Sequence, residues 1–406
     1  MSDAPSEHTA NAVRRARSFI VVMGVVAMFG DMTYEGARGL AGPYLGLLGV
    51  SATVVGFVAG LGEFLGYALR LVTGWLADRL RAWWPLVIAG YAINLVAVPK
   101  LALAGHWQVA IVLVLLERVG KAIRSPARST IVSYAASAAG VGRSFGIEEA
   151  LDQIGAVAGP LLTALAIWLA RDALPAAQMR MAFAVLLLPA AANLVLVVLA
   201  RRRYPTPAEF EPDATVAHPQ LGRLFRWYIF AAALIGLGFA DWVLIAYHAA
   251  KCGLVDTIAF PLLYAAVMAV DGLAALLLGR LFDRAGLRVL AVAVLISACF
   301  APFAFLLPST GLLVAGAGLW AIGMGAQDSI FKAAIVGLVP KQERARAYGV
   351  FFAVFGLAWW IGSTTMGWLY ERSTLALVVF SVATQLAAVP VLLILANRIS
   401  RMAPPS

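Results

Sequence analysis

Apolar residues in this chain come in long, unbroken runs. Windows of about 20 mostly apolar residues fall near 18–41, 53–77, 84–104, 107–128, 145–169 and 178–200, and again near 225–248, 257–279, 288–307, 311–335, 346–369 and 375–397. A lipid-facing barrel strand alternates apolar and polar residues with period two, whereas these runs are continuous, so each predicts a membrane-spanning helix. Short breaks separate most of the runs. The one longer break, Arg201–Arg226, opens on Arg201-Arg202-Arg203 and carries Pro205, Pro207, Pro212 and Pro219 with Glu209, Glu211 and Asp213. The pattern predicts an all-α membrane protein of twelve transmembrane helices in two six-helix bundles, residues 18–200 and 225–397. A cytoplasmic linker at 201–224 joins them, and tails at 1–17 and 398–406 flank them.

Composition supports this pattern. Of 406 residues, 62% are hydrophobic and 13% charged, against about 45–50% and about 25% in soluble globular chains. That excludes an ordinary soluble enzyme, because the surplus apolar surface must face lipid. The formal charge of +10 would suggest nucleic acid in a soluble protein, but no basic patch is interleaved with aromatic residues here. With the N-terminus placed inside, twenty of the Lys/Arg residues fall in inner loops and tails, among them Arg14, Arg15, Arg17, Arg79, Arg81, Arg128, Arg143 and Arg201. Five fall in outer loops (Lys100, Arg171, Arg180, Lys251 and Arg372) and six within spans. This asymmetry predicts both termini in the cytoplasm and a retained first span in the cytoplasmic membrane. Two cysteines, Cys252 and Cys299, predict neither a disulfide framework nor a metal site. Four scattered histidines form no catalytic cluster, and no nucleotide-binding Gly-rich loop is present. No cofactor, no metal and no enzymatic activity are expected.

The two halves repeat. Gly74-Trp-Leu-Ala-Asp78-Arg79 matches Gly279-Arg-Leu-Phe-Asp283-Arg284 at an offset of 205, Asp31 matches Asp241 at 210, and Arg143-Ser-Phe-Gly146 matches Arg346-Ala-Tyr-Gly349 at 203. Parallel repeats of this kind build transporters whose substrate site lies at mid-membrane. Gly279, Asp283, Arg284, Gly286 and Arg288 resemble the Gly-x-x-x-Asp-Arg-x-Gly-x-Arg loop motif of the major facilitator superfamily, with Gly74, Asp78 and Arg79 as its first-half copy. That copy has Arg81 where the motif has Gly. The resemblance spans Phe19 to Arg398 and implies the pseudo-symmetric two-bundle fold and a conformational lock at these residues. Glycine permits a tight turn, and the Asp can meet a neighbouring helix N-terminus or Arg. Gly146, Gly155, Gly159 and Pro160 resemble the fifth-span signature of the superfamily's drug:proton antiporters, with Thr163 in place of its last Gly. The alternative is simple small-residue packing.

Charges inside spans carry the candidate chemistry, since each is expensive there and needs a partner or a role. Asp31, Glu35 and Arg38 lie at i, i+4 and i+7 on one face of the first span. Asp31, in a run that resembles the acidic first-span motif of drug antiporters, is the candidate for proton coupling or substrate binding; a buried pair with Arg38 or Arg118 is the alternative. Glu63 and Arg70 share a face of the second span, Glu63 as a cavity residue and Arg70 in gating or structure. Glu117, Arg118, Lys121 and Arg124 lie in the fourth span, where Arg118 resembles the mid-depth Arg of the exporters and is placed to tune Asp31 or a fifth-span carboxylate. Glu148 and Asp152 sit four apart at the start of the fifth span, either sharing a proton or bridged to Arg124, Arg128 or Arg143. Asp241 gains weight by mirroring Asp31.

Ten carboxylates against six bases within the spans tilt the substrate toward cationic or zwitterionic compounds, although the basic fourth span leaves an anionic one open. The expected function is secondary active transport of small organic molecules, with proton-coupled efflux as the leading reading. Proton symport or facilitated uptake is the alternative, and a non-transporting receptor or enzyme on the same scaffold a remote one. The expected partners are substrate, protons and the bilayer, with no nucleic acid, for a chain working as a monomer.

Overall fold

The computed structural model of the chain describes residues 7–80, 82–139, 141–206, 222–339 and 344–402. Every described element is helical: α1 (Glu7–Leu47), α2 (Ala52–Leu80), α3 (Trp83–Lys100), α4 (Trp107–Ala139), α5 (Val141–Leu169), α6 (Pro175–Val185), α7 (Leu187–Arg203), α8 (Arg223–Gly238), α9 (Trp242–Lys251), α10 (Ala259–Ala285), α11 (Leu287–Ala298), α12 (Phe300–Phe305), α13 (Thr310–Leu338), α14 (Arg344–Arg372) and α15 (Thr374–Met402). Among the described residues, eleven stretches are long and apolar enough to cross a membrane. The fourth expected span, in α4, falls short. Its 33 residues place Glu117, Arg118, Lys121, Arg124 and Arg128 in its middle, leaving no uncharged window of spanning length. Large side chains such as Leu103, Leu169, Leu174 and Leu188 stand exposed, as lipid-facing positions do.

Several helices overrun the predicted spans at their charged ends. Arg128, expected in an inner loop, lies inside α4, which continues through Pro126 to Ala139. Three expected spans are interrupted. Pro189 lacks the N–H that would bond back to Val185, and the sixth span divides into α6 and α7 at Leu186. Pro302 does the same to the ninth span between α11 and α12. The break in the seventh is of another kind: Phe239 (φ −92°, ψ 105°) and Asp241 (φ −68°, ψ 147°) are extended, so the helix stops and restarts. Gly286, at φ +61° and ψ −147°, turns the chain from α10 into α11 in a region open essentially only to glycine.

The chain packs as two compact units that do not follow chain order. The first comprises 1–37, 69–104 and 112–215, the second 38–68, 105–111 and 216–406. Within the first, Phe19 packs edge-on to Tyr204 (4.9 Å between centroids) and Trp84 (6.3 Å), and Trp84 Nε1 donates to the Tyr204 carbonyl at 3.0 Å, joining α1, α3 and the end of α7. A Cβ on Gly155 or Gly159 would strike the α1 carbonyls of Met28 and Met32, so these two glycines set α5 directly against the α1 backbone. Within the second unit, α8 packs on α14 and α15, and the segment 38–68 joins it through Phe64 stacked on Trp360 (5.4 Å) and Tyr67 on Phe352 (5.1 Å).

Candidate functional site

The charged side chains gather in two groups, one in each unit. In the second unit, Arg38 near the end of α1 reaches two carboxylates at once. Its Nη2 donates to Asp241 Oδ2 at 2.9 Å and lies 2.9 Å from Glu63 Oε1. All three are shielded, Asp241 almost completely, at 1% exposure. Asp241 also caps α9, its Oδ1 accepting the Val243 N–H at 3.0 Å, so the exposed N–H end and dipole of the half-helix help hold its charge.

The carbonyls freed by the break find side chains. Gly238 O accepts from Ser381 Oγ (2.6 Å) and Gln385 Nε2 (3.2 Å) on α15, and Ala240 O accepts from Trp320 Nε1 (2.8 Å) on α13. An interrupted helix is tolerated at membrane depth only with such partners. Trp242, Trp320, Phe239 and Trp359 continue as a chain of ring contacts. His248 is tied to Tyr370, its Nδ1 2.9 Å from the hydroxyl.

In the first unit, Asp31 is half-buried on α1 and makes no hydrogen bond or ion pair among the described residues. Lys121, Arg128, Asp152 and Glu35 stand within electrostatic reach of it. Lys121 Nζ rests 3.6 Å from the centre of the Tyr34 ring, and the Arg118 guanidinium lies 5.7 Å from the same ring, contacts that hold a cation by the ring quadrupole. Arg118 Nε is 3.4 Å from Glu117 Oε2. Arg70 reaches Lys121 electrostatically. Arg128 Nη2 bonds the Glu148 carboxylate and lies 3.4 Å from Asp152 Oδ1. Arg124, buried, stacks over Tyr91 at 4.6 Å.

The structure thus separates residues that share a helix face in sequence. Arg38 pairs with Glu63 and Asp241, and the bases that act on Asp31 electrostatically are Lys121 and Arg128. Glu148 and Asp152 are bridged by Arg128. Two arginines therefore hold four of the ten intramembrane carboxylates, and with Arg128 inside α4 the ten face seven bases rather than six. Arg128 was among the three bases expected to bridge Glu148 and Asp152; the roles of Trp320, Ser381 and Gln385 were missed. A Gly-Phe-Ala-Asp stretch at 238–241 in a seventh span was the available signal for the last three.

At the loop motifs, Gly74 lies 3.5 Å from Pro126 by its virtual Cβ, and Thr73 Oγ1 donates to the Ala122 carbonyl at 2.8 Å, joining α2 to α4. Arg79 lies over Trp75 at 5.1 Å; residue Arg81 and the side chains of Asp78 and Arg143 fall outside the described positions. Gly279 faces Ser329 at 3.7 Å. Asp283 and Arg284 are exposed and make no ion pair among the described residues, while Arg288 Nη2 donates to Asn397 Oδ1 at 3.1 Å. Gly146 has open space about it, and Pro160 accepts from Thr163 Oγ1 at 2.9 Å.

The model of the Major Facilitator Superfamily matches residues 19–248 and 253–405. The chain belongs to the major facilitator superfamily. It is a multi-pass membrane transporter of that family. An uncharacterized protein of Mycobacterium tuberculosis (strain ATCC 25618 / H37Rv) is 40% identical over 393 residues, 95% of this chain and 94% of its own. An uncharacterized MFS-type transporter of Methanocaldococcus jannaschii is 25% identical over 367 residues, 87% of this chain and 89% of its own. The fold is shared with a POT family transporter in complex with a thioalcohol-conjugated peptide (TM-score 0.75, 13% identity, 95% of this chain and 96% of that one). It is also shared with the nucleoside transporter NupG (TM-score 0.69, 15% identity, 96% and 100%).

Proposed function

We propose that this major facilitator protein is a proton-coupled exporter of small organic molecules, working by antiport and alternating access as a monomer in the cytoplasmic membrane with both termini inside. The observation that carries the reading is Asp31: a half-buried carboxylate with no ion pair among the described residues, flanked by Lys121 and the Arg128–Asp152 bridge. A carboxylate so placed can exchange a proton for a substrate group without first breaking a salt bridge. Gly155 and Gly159 support it by bringing α5, and with it Asp152, against α1 beside Asp31. The domain reading goes with it: bundles at 18–200 and 225–397, a linker at 201–224 and two short tails.

With the termini inside, Arg38, Glu63 and Asp241 lie toward the outer face. Transport then requires the segment 38–68 to part from α9 and α14, and the Arg38 pairs to break and re-form in each cycle. Asp283 and Arg284 are reserved for the other state, in which Asp283 meets a partner. Asp283→Asn should shift spin-label distances between access states; unchanged distances would leave the motif without a locking role.

Proton symport is the second reading, and one observation favours it: the α1 contacts of Gly155 and Gly159 account for the fifth-span glycines as packing alone. Proteoliposomes with an imposed pH gradient separate the two. Antiport drives substrate against the proton flow and symport drives it along. Proton-driven transport unchanged in Asp31→Asn would overturn both assignments of that residue.

A further inference from the structure

At one end of the first unit, Leu80, Ala82, Trp83, Pro85, Ile88, Val198, Arg201, Arg202 and Thr206 line a cavity of about 780 Å³, within the roughly 300–1,000 Å³ of small-molecule sites. Its walls are apolar, and Arg201 and Arg202 are the charged groups among its lining residues. Both are exposed at the last turn of α7, where a membrane helix leaves the hydrocarbon. Trp83 opens α3 at the same level, packed edge-on to Tyr134 at 5.6 Å, and its buried Nε1 has no hydrogen-bond partner among the described residues. The Trp84 bond to the Tyr204 carbonyl fixes the two walls against each other.

We propose that this cavity binds one anionic phospholipid of the leaflet facing the termini. Arg201 and Arg202 pair with the two non-bridging oxygens of the headgroup phosphate, and the start of an acyl chain lies along the Trp83 ring, Leu80, Ile88 and Val198. The apolar walls select a lipid over a free anion, because two solvated arginines without burial hold inorganic phosphate weakly, whereas a tethered chain adds apolar contact at the same place. The arginine run thus acquires a role beyond orienting the chain in the membrane.

The test is native mass spectrometry of the full chain in detergent with added phosphatidylglycerol, phosphatidylcholine or inorganic phosphate, read together with thermal unfolding. The expected result is preferential retention of one phosphatidylglycerol and a raised unfolding temperature. R201Q/R202Q should weaken that preference about 10- to 30-fold, as expected for two basic groups near an anionic surface. W83F should weaken it by a smaller factor. R398Q/R401Q, which removes two arginines elsewhere, should leave it intact. Equal retention of the two lipids, equal loss in both double variants, or the same stabilisation by inorganic phosphate would each overturn the proposal. A double variant that fails to fold is replaced by R201K/R202K with the phosphatidylglycerol preference as readout, expected to persist because the charge remains.

Discussion

Asp31 and Asp241 occupy matching places in the two sequence repeats, and their surroundings are built on different principles. Asp241 sits where the helix has broken. It caps α9 by accepting the Val243 N–H, Arg38 bonds it at 2.9 Å, and 1% of it is exposed. Asp31 sits inside the unbroken α1, partly buried, with charges of both signs near it and no ion pair among the described residues. One carboxylate is fixed by geometry and the other is left able to change partner. Repeat symmetry therefore marks where a charge belongs, while the local backbone decides what the charge does.

The comparison breaks most severely at Arg38. Removing one member of a buried charge group leaves the rest uncompensated, at about 3–5 kcal/mol, so Arg38→Met should lower unfolding stability in detergent by that amount. The triple variant R38M/E63Q/D241N should recover most of the loss, since Asn still caps α9. Failure to recover would mean that the three side chains do not act as a group. Arg128→Met in the other unit should be milder, about 1.5–3 kcal/mol, because Arg128 and its two carboxylates are 14–24% exposed and water can take over part of their solvation. Equal losses at Arg38 and Arg128 would erase the distinction between the groups.

The helical fold was legible because lipid imposes it: a spanning segment must satisfy its own backbone and present apolar side chains, and both demands leave continuous hydrophobic runs. The fourth span was read from the apolar run that opens it, despite the charges at Glu117, Arg118, Lys121 and Arg124. The break in the seventh span was marked only by the Gly-Phe-Ala-Asp stretch at 238–241, since 225–248 is otherwise as apolar as an intact helix and the carbonyls it frees are satisfied by Trp320, Ser381 and Gln385, far along the chain. The partners of Arg38 escaped for the same reason. Helical spacing suggested Asp31 on its own face, whereas its bond to Asp241 spans 203 residues. Local periodicity reports which residues share a face, and pairings between helices depend on packing that no single segment encodes.

Ser381 tests how far the break itself supports the fixed group. Its hydroxyl is one of two donors to Gly238 O, with Gln385 the other, so Ser381→Ala leaves the carbonyl with a partner. The expected loss is about 1 kcal/mol, one hydrogen bond's net worth, measured against Thr384→Ala, which removes a hydroxyl bonded within its own helix at 2.8 Å. A loss no larger than at Thr384 would show that the break stands without α15.

Asp31→Asn should have the smallest effect on stability and the largest on coupling. No hydrogen bond or ion pair among the described residues is lost, the amide matches the carboxylate in volume, and the change removes a negative charge facing Asp152 and Glu35 as well as Lys121 and Arg128, so these electrostatic effects oppose one another. Stability should stay within about 0.5 kcal/mol of the parent, the range of substitutions that touch no special feature. Transport driven by a pH gradient should be lost, because Asn cannot carry the proton, while counterflow of substrate with no gradient should persist. Asp241→Asn supplies the matching measurement, with its capping bond retained and its ion pair removed. If Asp241→Asn abolished gradient-driven transport and Asp31→Asn did not, the mobile and fixed carboxylates would have to exchange roles.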